Sequence, residues 1–226
     1  MSHTLHRQGT SASLLGDFVV LMMAAKGQND RGAAPRLGEF LRLAESSGAV
    51  NLGDMTQGSR GSGSTLPQLE QGVSDTSIVH AAFSSLEAAE AFIRALRNAE
   101  LGLSITLTGL IEPVEALCRR LGLAGAPHTV AFSLGILGST ERLPKPGVLE
   151  ITTMCGHALV SPRLVEKAVE EVESGRESPE NAARMLAGPC TCGVFNPERA
   201  AALLAQLSAQ YSLSNEQRHD NKPDAR

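Results

Sequence analysis

Three times in the last third of the chain a strong helix-capping residue stands directly before a proline: Ser161-Pro162, Ser178-Pro179 and Asn196-Pro197. A Ser or Asn side chain accepts from the free N–H groups of a first turn, and proline at the first helical position gives up only an N–H the helix would not use. Each pair therefore marks a helix start. Behind the first, Leu164, Val165, Ala168, Val169 and Val172 fall on one stripe. Behind the second come Ala182, Ala183, Met185 and Leu186, and behind the third Ala200, Leu203, Leu204 and Leu207. Amphipathic helices need an apolar surface to cover, so residues 145–212 read as a helical segment packed on a preceding layer.

That layer is legible upstream of Pro144-Lys-Pro-Gly147, which marks the boundary. Phe18–Ala25 is an unbroken apolar run of strand length, and Ala49–Gly53 reads as a short strand. Pro35 opens a helix carrying Leu37, Phe40, Leu41 and Ala44 on one face, closed at Gly48. Ser77–Phe83, a helix capped by Ser84 with Glu87 three residues on, and the alternating Leu103–Thr108 together read as a βαβ unit. A helix starting at Pro113 puts Cys118 on its apolar face, and Thr129–Ile136 reads as one more strand, with His128 at its start. Val148–Met154 fits a strand by its β-branched residues and a helix by its spacing. The expected fold class is α/β, with mixed α+β as the variant: a βαβ-containing sheet layer over 14–144, then a cysteine-bearing helical segment. Residues 1–13 and 213–226 lack apolar periodicity and read as disordered tails, which hold His3, His6 and His219. Gln57–Thr65, rich in Gly and Ser, reads as a flexible linker or lid.

Composition removes several functions. Six Phe, one Tyr and no Trp leave few stacking platforms for bases, and a net charge of −4 without a basic block offers no phosphate-backbone footprint, so no nucleic-acid partner is expected. No apolar run reaches the roughly 20 residues of a membrane span. The polar N-terminus, without an A-x-A pattern after Ala24-Ala25, gives no sign of a signal peptide, which implies a reducing cytoplasm. There, clustered cysteines speak for metal or redox chemistry rather than a disulfide framework. A homodimer suits the modest core.

The cysteines supply the chemistry. Cys155-Gly156-His157 is answered 35 residues later by Cys190-Thr191-Cys192-Gly193. With Cys118 assigned to the core, three thiolates lack a fourth cysteine. One reading has Cys155, Cys190 and Cys192 hold a four-iron four-sulfur ([4Fe–4S]) cluster. Its fourth iron would stay open, or be held by His157, for lyase- or desulfidase-type chemistry on a small anionic substrate. A second completes a closed Cys3His zinc site in an accessory or interaction protein. A third is a thiol redox or carrier protein using Cys190 and Cys192. C-x-C spacing does not choose between them.

Other polar residues are weaker candidates. Lys26, Asn29, Asp30 and Arg31 follow the first strand, where open sheets bind ligands, and could contact an anionic substrate; a solvated loop is the more frequent meaning of such a stretch. Asp54 and Arg60 flank the Gly/Ser stretch, and His80 suits a buried sheet-face histidine. No G-x-G-x-x-G or G-x4-G-K-[ST] is present, so nucleotide binding has no motif behind it.

Overall fold

A computed structural model describes residues 7–123 and 137–220, with side chains as far as Tyr211. The expected strand at Thr129–Ile136, and His128 before it, lie outside the described residues. The sheet has five strands: β1 (Phe18–Met23), β2 (Asn51–Asp54), β3 (Gly58–Ser59), β4 (Ile78–Phe83) and β5 (Ser104–Thr108). Their spatial order is β3-β2-β4-β1-β5, and every neighbouring pair is antiparallel. Because β4 and β5 both run against β1, they run parallel to each other with β1 between them. Helix α4 (Leu86–Ala99) joins them, so the expected βαβ unit is real but split. Strands β1 and β2, joined by α2 (Ala34–Ser46), are split in the same way by β4. The mixed α/β class with C-terminal helices holds.

The pleat divides the core in two. Phe18, Val20 and Met22 point to a cluster with Phe40 of α2, Phe92 of α4 and Leu117 of α5 (Ile111–Arg120). Phe40 meets Phe92 edge-on at 4.9 Å, and Phe83 lies 5.0 Å from Phe92. Val19 and Ala82 point the other way, into a cluster built by α6 (Pro146–Thr152), α7 (Pro162–Glu173), α8 (Pro179–Ala187) and α9 (Pro197–Asp220). A strand covered on both faces must be apolar throughout, which is why Phe18–Met22 shows no alternation. Among the described residues, no helix is long and apolar enough to cross a membrane.

The helix starts follow their caps. Ser161 and Ser178 accept from the backbone N–H three residues on, with proline next in line, as expected. The start at Ser84 is corrected by one residue: Ser85 accepts from Ala88 and precedes Leu86. The ambiguous Val148–Met154 stretch is largely helical, because Pro146 sets the first turn of α6. Helix α2 lacks a cap of its own, and Asp75 supplies one from across a turn. Its carboxylate accepts from Ala34 and Gly32, each at 2.9 Å, and these bonds hold it below the ordinary aspartate range.

Three stretches read as loose are ordered. Gln57–Thr65 contains β3 and a 3-10 turn, Arg60–Ser62, in which Ser59 and Ser62 cap each other's N–H groups at 3.2 and 2.8 Å. The backbone after 212 stays helical to Asp220. Residues 7–13 are not a tail: Ser11–Leu14 forms a short helix, α1, and the segment before it is tied down by buried charge. Asp17, with a fully buried side chain, pairs with both Arg7 and Arg199, whose side chains are 5% and 3% exposed. Arg199 also reaches Glu150 at 3.3 Å and the Gln8 carbonyl at 2.7 Å. The tail expectation failed because these partners lie up to 191 residues apart in sequence, beyond the reach of any local pattern.

Candidate metal centre

Both cysteine segments are turns between helices, and both carry glycine directly after a cysteine in the left-handed region: Gly156 at φ 70° and Gly193 at φ 84°. The first turn leaves α6 and runs Met154-Cys155-Gly156-His157-Ala158, with Ala158 also left-handed at φ 57°. The second links α8 to α9. Cys155, Cys190 and Cys192 are buried, whereas His157 is half-buried with exposed residues on either side.

The structure brings all four predicted ligands together. Cys190 Sγ lies 3.8 Å from Cys192 Sγ, and Cys192 Sγ lies 3.8 Å from His157 Nδ1. Cys155 lies near enough to Cys190 for each thiol to alter the other's acidity. The side chains thus run in the order Cys155, Cys190, Cys192, His157. Among the described residues, no group of three or more His, Cys, Asp and Glu side chains is arranged so that it could hold a metal ion as it stands.

Protons follow this order. Cys155 is pushed well above the usual thiol range, first by its bond to Cys190 and then by burial. Cys190 gains acidity from Cys155, but its own bond to Cys192 and its burial outweigh that and leave it at about 11. Cys192, receiving from Cys190 against the cost of burial, is held below the usual range. Of the three thiols, Cys192 is therefore the first to ionise.

Backbone N–H groups near the sulfurs favour their charged form: those of His157 and Leu159 at Cys155, of Phe195 at Cys190, and of Val194 and Cys192 itself at Cys192. A neutral thiol is a poor acceptor; donors gathered in this way serve thiolates.

No family model, curated protein or solved structure matches this chain. The chemistry of the site must come from its own geometry.

The sheet positions the second turn. Gly193 packs against β2 so closely that a Cβ there would fall 2.5 Å from the Leu52 carbonyl carbon and 2.6 Å from the Gly53 nitrogen. Ser59 donates to the Cys190 carbonyl at 2.9 Å and Asn51 to the Phe195 carbonyl at 3.0 Å. Asn196 accepts from the Arg199 N–H at 3.0 Å, capping α9, and donates to the Gly16 carbonyl at 2.9 Å. Of these, only Asn196 was marked in the sequence, by its cap position; Ser59 and Asn51 carry no local signal. His80 lies buried on the same sheet face as Ala82, in register with Gly53, which fits the sheet-face reading. Lys26, Asn29, Asp30 and Arg31 follow the Met23 end of β1, whereas the helical segment covers its Val19 end. Asn29 is engaged there with Ala25 and Gly102. Cys118, expected in the core, is only half-buried on α5 and belongs to neither cluster, whereas Leu117 of that helix and its C-cap Leu121 join the other cluster.

Gly193→Ala combines a left-handed backbone with a backbone clash, so it should destabilise the fold by about 2–3 kcal/mol, read from the urea midpoint. A loss under about 0.5 kcal/mol would mean that the turn is free to move off β2.

Proposed function

We propose that Cys155, Cys190, Cys192 and His157 hold one metal ion of the zinc class, which clasps the helical segment onto the sheet. The observation that carries this reading is the 3.8 Å between Cys190 Sγ and Cys192 Sγ. Thiolates about 2.3 Å from a tetrahedral ion stand about 3.8 Å apart, so this edge already has the required length. The Cys192–His157 approach is of the same order. Setting all four around a common centre would complete a Cys3His shell. The gathered N–H donors support it independently, because they offset the charge of metal-bound thiolates. With four protein ligands the site is closed, and its role is to stabilise the fold of an accessory or interaction protein.

The iron–sulfur expectation keeps the same cysteines but places them on separate irons of one cluster, which draws the sulfurs apart. It would require Cys190 and Cys192 to leave contact. A thiol redox role draws support from the acidic Cys192, but the three sulfurs are buried away from a partner protein.

Anaerobic purification followed by metal and acid-labile sulfide analysis tests the reading. The expected result is about one zinc per chain, no sulfide and no visible colour. About four irons with matching sulfide and a broad band near roughly 400 nm would replace it with the open-iron enzyme.

A further inference from the structure

The leading segment, residues 7–16, forms a strap across the cysteine-bearing half of the molecule. None of its residues is buried, and it adds no side chain to either hydrophobic cluster. What holds it is polar. The Gln8 N–H donates to Thr153 Oγ1 at 3.0 Å, two residues before Cys155. Arg7 Nη2 donates to the Val194 carbonyl at 2.6 Å, two residues after Cys192. Arg7 also pairs with the buried Asp17, and Arg199 donates to the Gln8 carbonyl at 2.7 Å. Two successive residues of the strap therefore hold one cysteine turn each.

We propose that this strap is the latch of the cysteine centre. Docked, it ties the two turns together; lifted, it lets them part and opens the three buried sulfurs to ions and reagents. Because Arg7 and Gln8 are adjacent, the two ties break together. A segment held by polar contacts, with no share in a core, belongs to the low-stability end of a fold and opens without global unfolding. The second turn is also pinned to the sheet, by the close approach of Gly193 to β2 and by the bond from Ser59 to the Cys190 carbonyl. The first turn is the one that swings when the strap lifts. Gly156, Ala158 and Leu159 of that turn are already exposed, so its movement meets water rather than packed side chains.

The inference rests on the metal reading only for what passes the latch, and its test separates the two. Full-length wild type, Arg7→Met and Thr153→Val, reduced and metal-free, are labelled with iodoacetamide in native buffer at one pH. Each cysteine is followed by peptide mass spectrometry, with Cys118 on α5, outside the centre, as the internal reference. Arg7→Met should speed labelling of Cys155, Cys190 and Cys192 about 10- to 100-fold, the factor carried by one charge-assisted hydrogen bond. Thr153→Val, which removes a neutral bond, should speed it about 2- to 10-fold. Cys118 should keep its wild-type rate. The deciding result runs across the turns. Thr153→Val, which alters the first turn, should speed Cys190 and Cys192, and Arg7→Met, which loses its bond to the second, should speed Cys155. Acceleration confined to the turn each variant touches overturns the latch, as does equal acceleration at Cys118, which marks loosening of the whole fold. Wild-type sulfurs that label as fast as in the urea-unfolded chain also overturn it. If Arg7→Met does not fold, Thr153→Val decides by the same criterion. In the zinc-loaded protein both variants should release the ion to a chelator faster than wild type, and an unchanged release rate overturns the latch. If wild type takes up no zinc, the metal reading falls and the labelling alone decides the latch.

Discussion

Stripping the metal from the anaerobic protein should lower its Tm by about 10 °C, the largest single effect the site predicts. Binding free energy at a structural site is folding free energy, because the unfolded chain has no such site. Free zinc at about a thousand times its Kd contributes about 4 kcal/mol, and for a chain of this size each kcal/mol moves Tm by about 2–4 °C. The loss should be uneven. The cluster of Phe18, Phe40, Phe83 and Phe92 lies on the far face of the sheet and has no share in the site. Helices α6 to α9 depend on it directly, since Cys155, Cys190 and Cys192 lie inside their cluster. Hydrogen exchange after chelation should therefore quicken first in residues 145–211 and only later in β1 and β4. A Tm that moves less than about 2 °C on complete metal removal would end the clasp hypothesis.

Asp17→Ala should cost about 3–5 kcal/mol, because it removes the shared counter-charge of two buried guanidinium groups. Arg7 would lose its acidic partner outright, and Arg199 would keep only Glu150 at 3.3 Å. The comparison with Arg7→Met is informative. Losing Arg7 leaves Asp17 paired with Arg199 at 2.8 Å, so no charge is stranded and the stability loss should be smaller. Urea denaturation of both variants gives the order. A cost under about 1 kcal/mol for Asp17→Ala would mean that water reaches these groups after the substitution, making this a surface network in energetic terms.

Local chemistry in the sequence marked a good part of this structure. Ser161, Ser178 and Asn196 announce their helices because a cap acts within three residues. Phe18–Met23 and Ser104–Thr108 announce strands because the pleat has a period of two or, when both faces are covered, none. Strand neighbours are a different matter. Periodicity says that β4 and β5 are strands joined by a helix, but not that β1 lies between them. The four candidate ligands were legible as a cluster of metal-competent side chains flanked by glycine. What was not legible was the 3.8 Å spacing, which favours one ion over a cluster of irons. The supports around it were also hidden. Arg7, Asn51 and Ser59 act through single bonds to carbonyls far along the chain, and Arg7 lies in a stretch whose polarity resembles that of a tail. Ser59 was masked by the opposite effect: a Gly/Ser composition that implies looseness becomes a tight turn once Ser59 and Ser62 cap each other.

The bond from Arg7 to Val194 also sets a timetable for synthesis. The ribosome makes Arg7 long before Val194, with nearly the whole sheet layer emerging in between. The cluster of α2, α4 and β1 can form while the nascent chain is still growing, whereas the strap has nothing to close on until α9 has begun to emerge. On the metal reading, ion uptake would therefore belong to the final stage of biogenesis. Before it, the chain must carry three reduced cysteines and an unattached leading segment through a partly folded state, the point in its life at which oxidants and proteases find it most open.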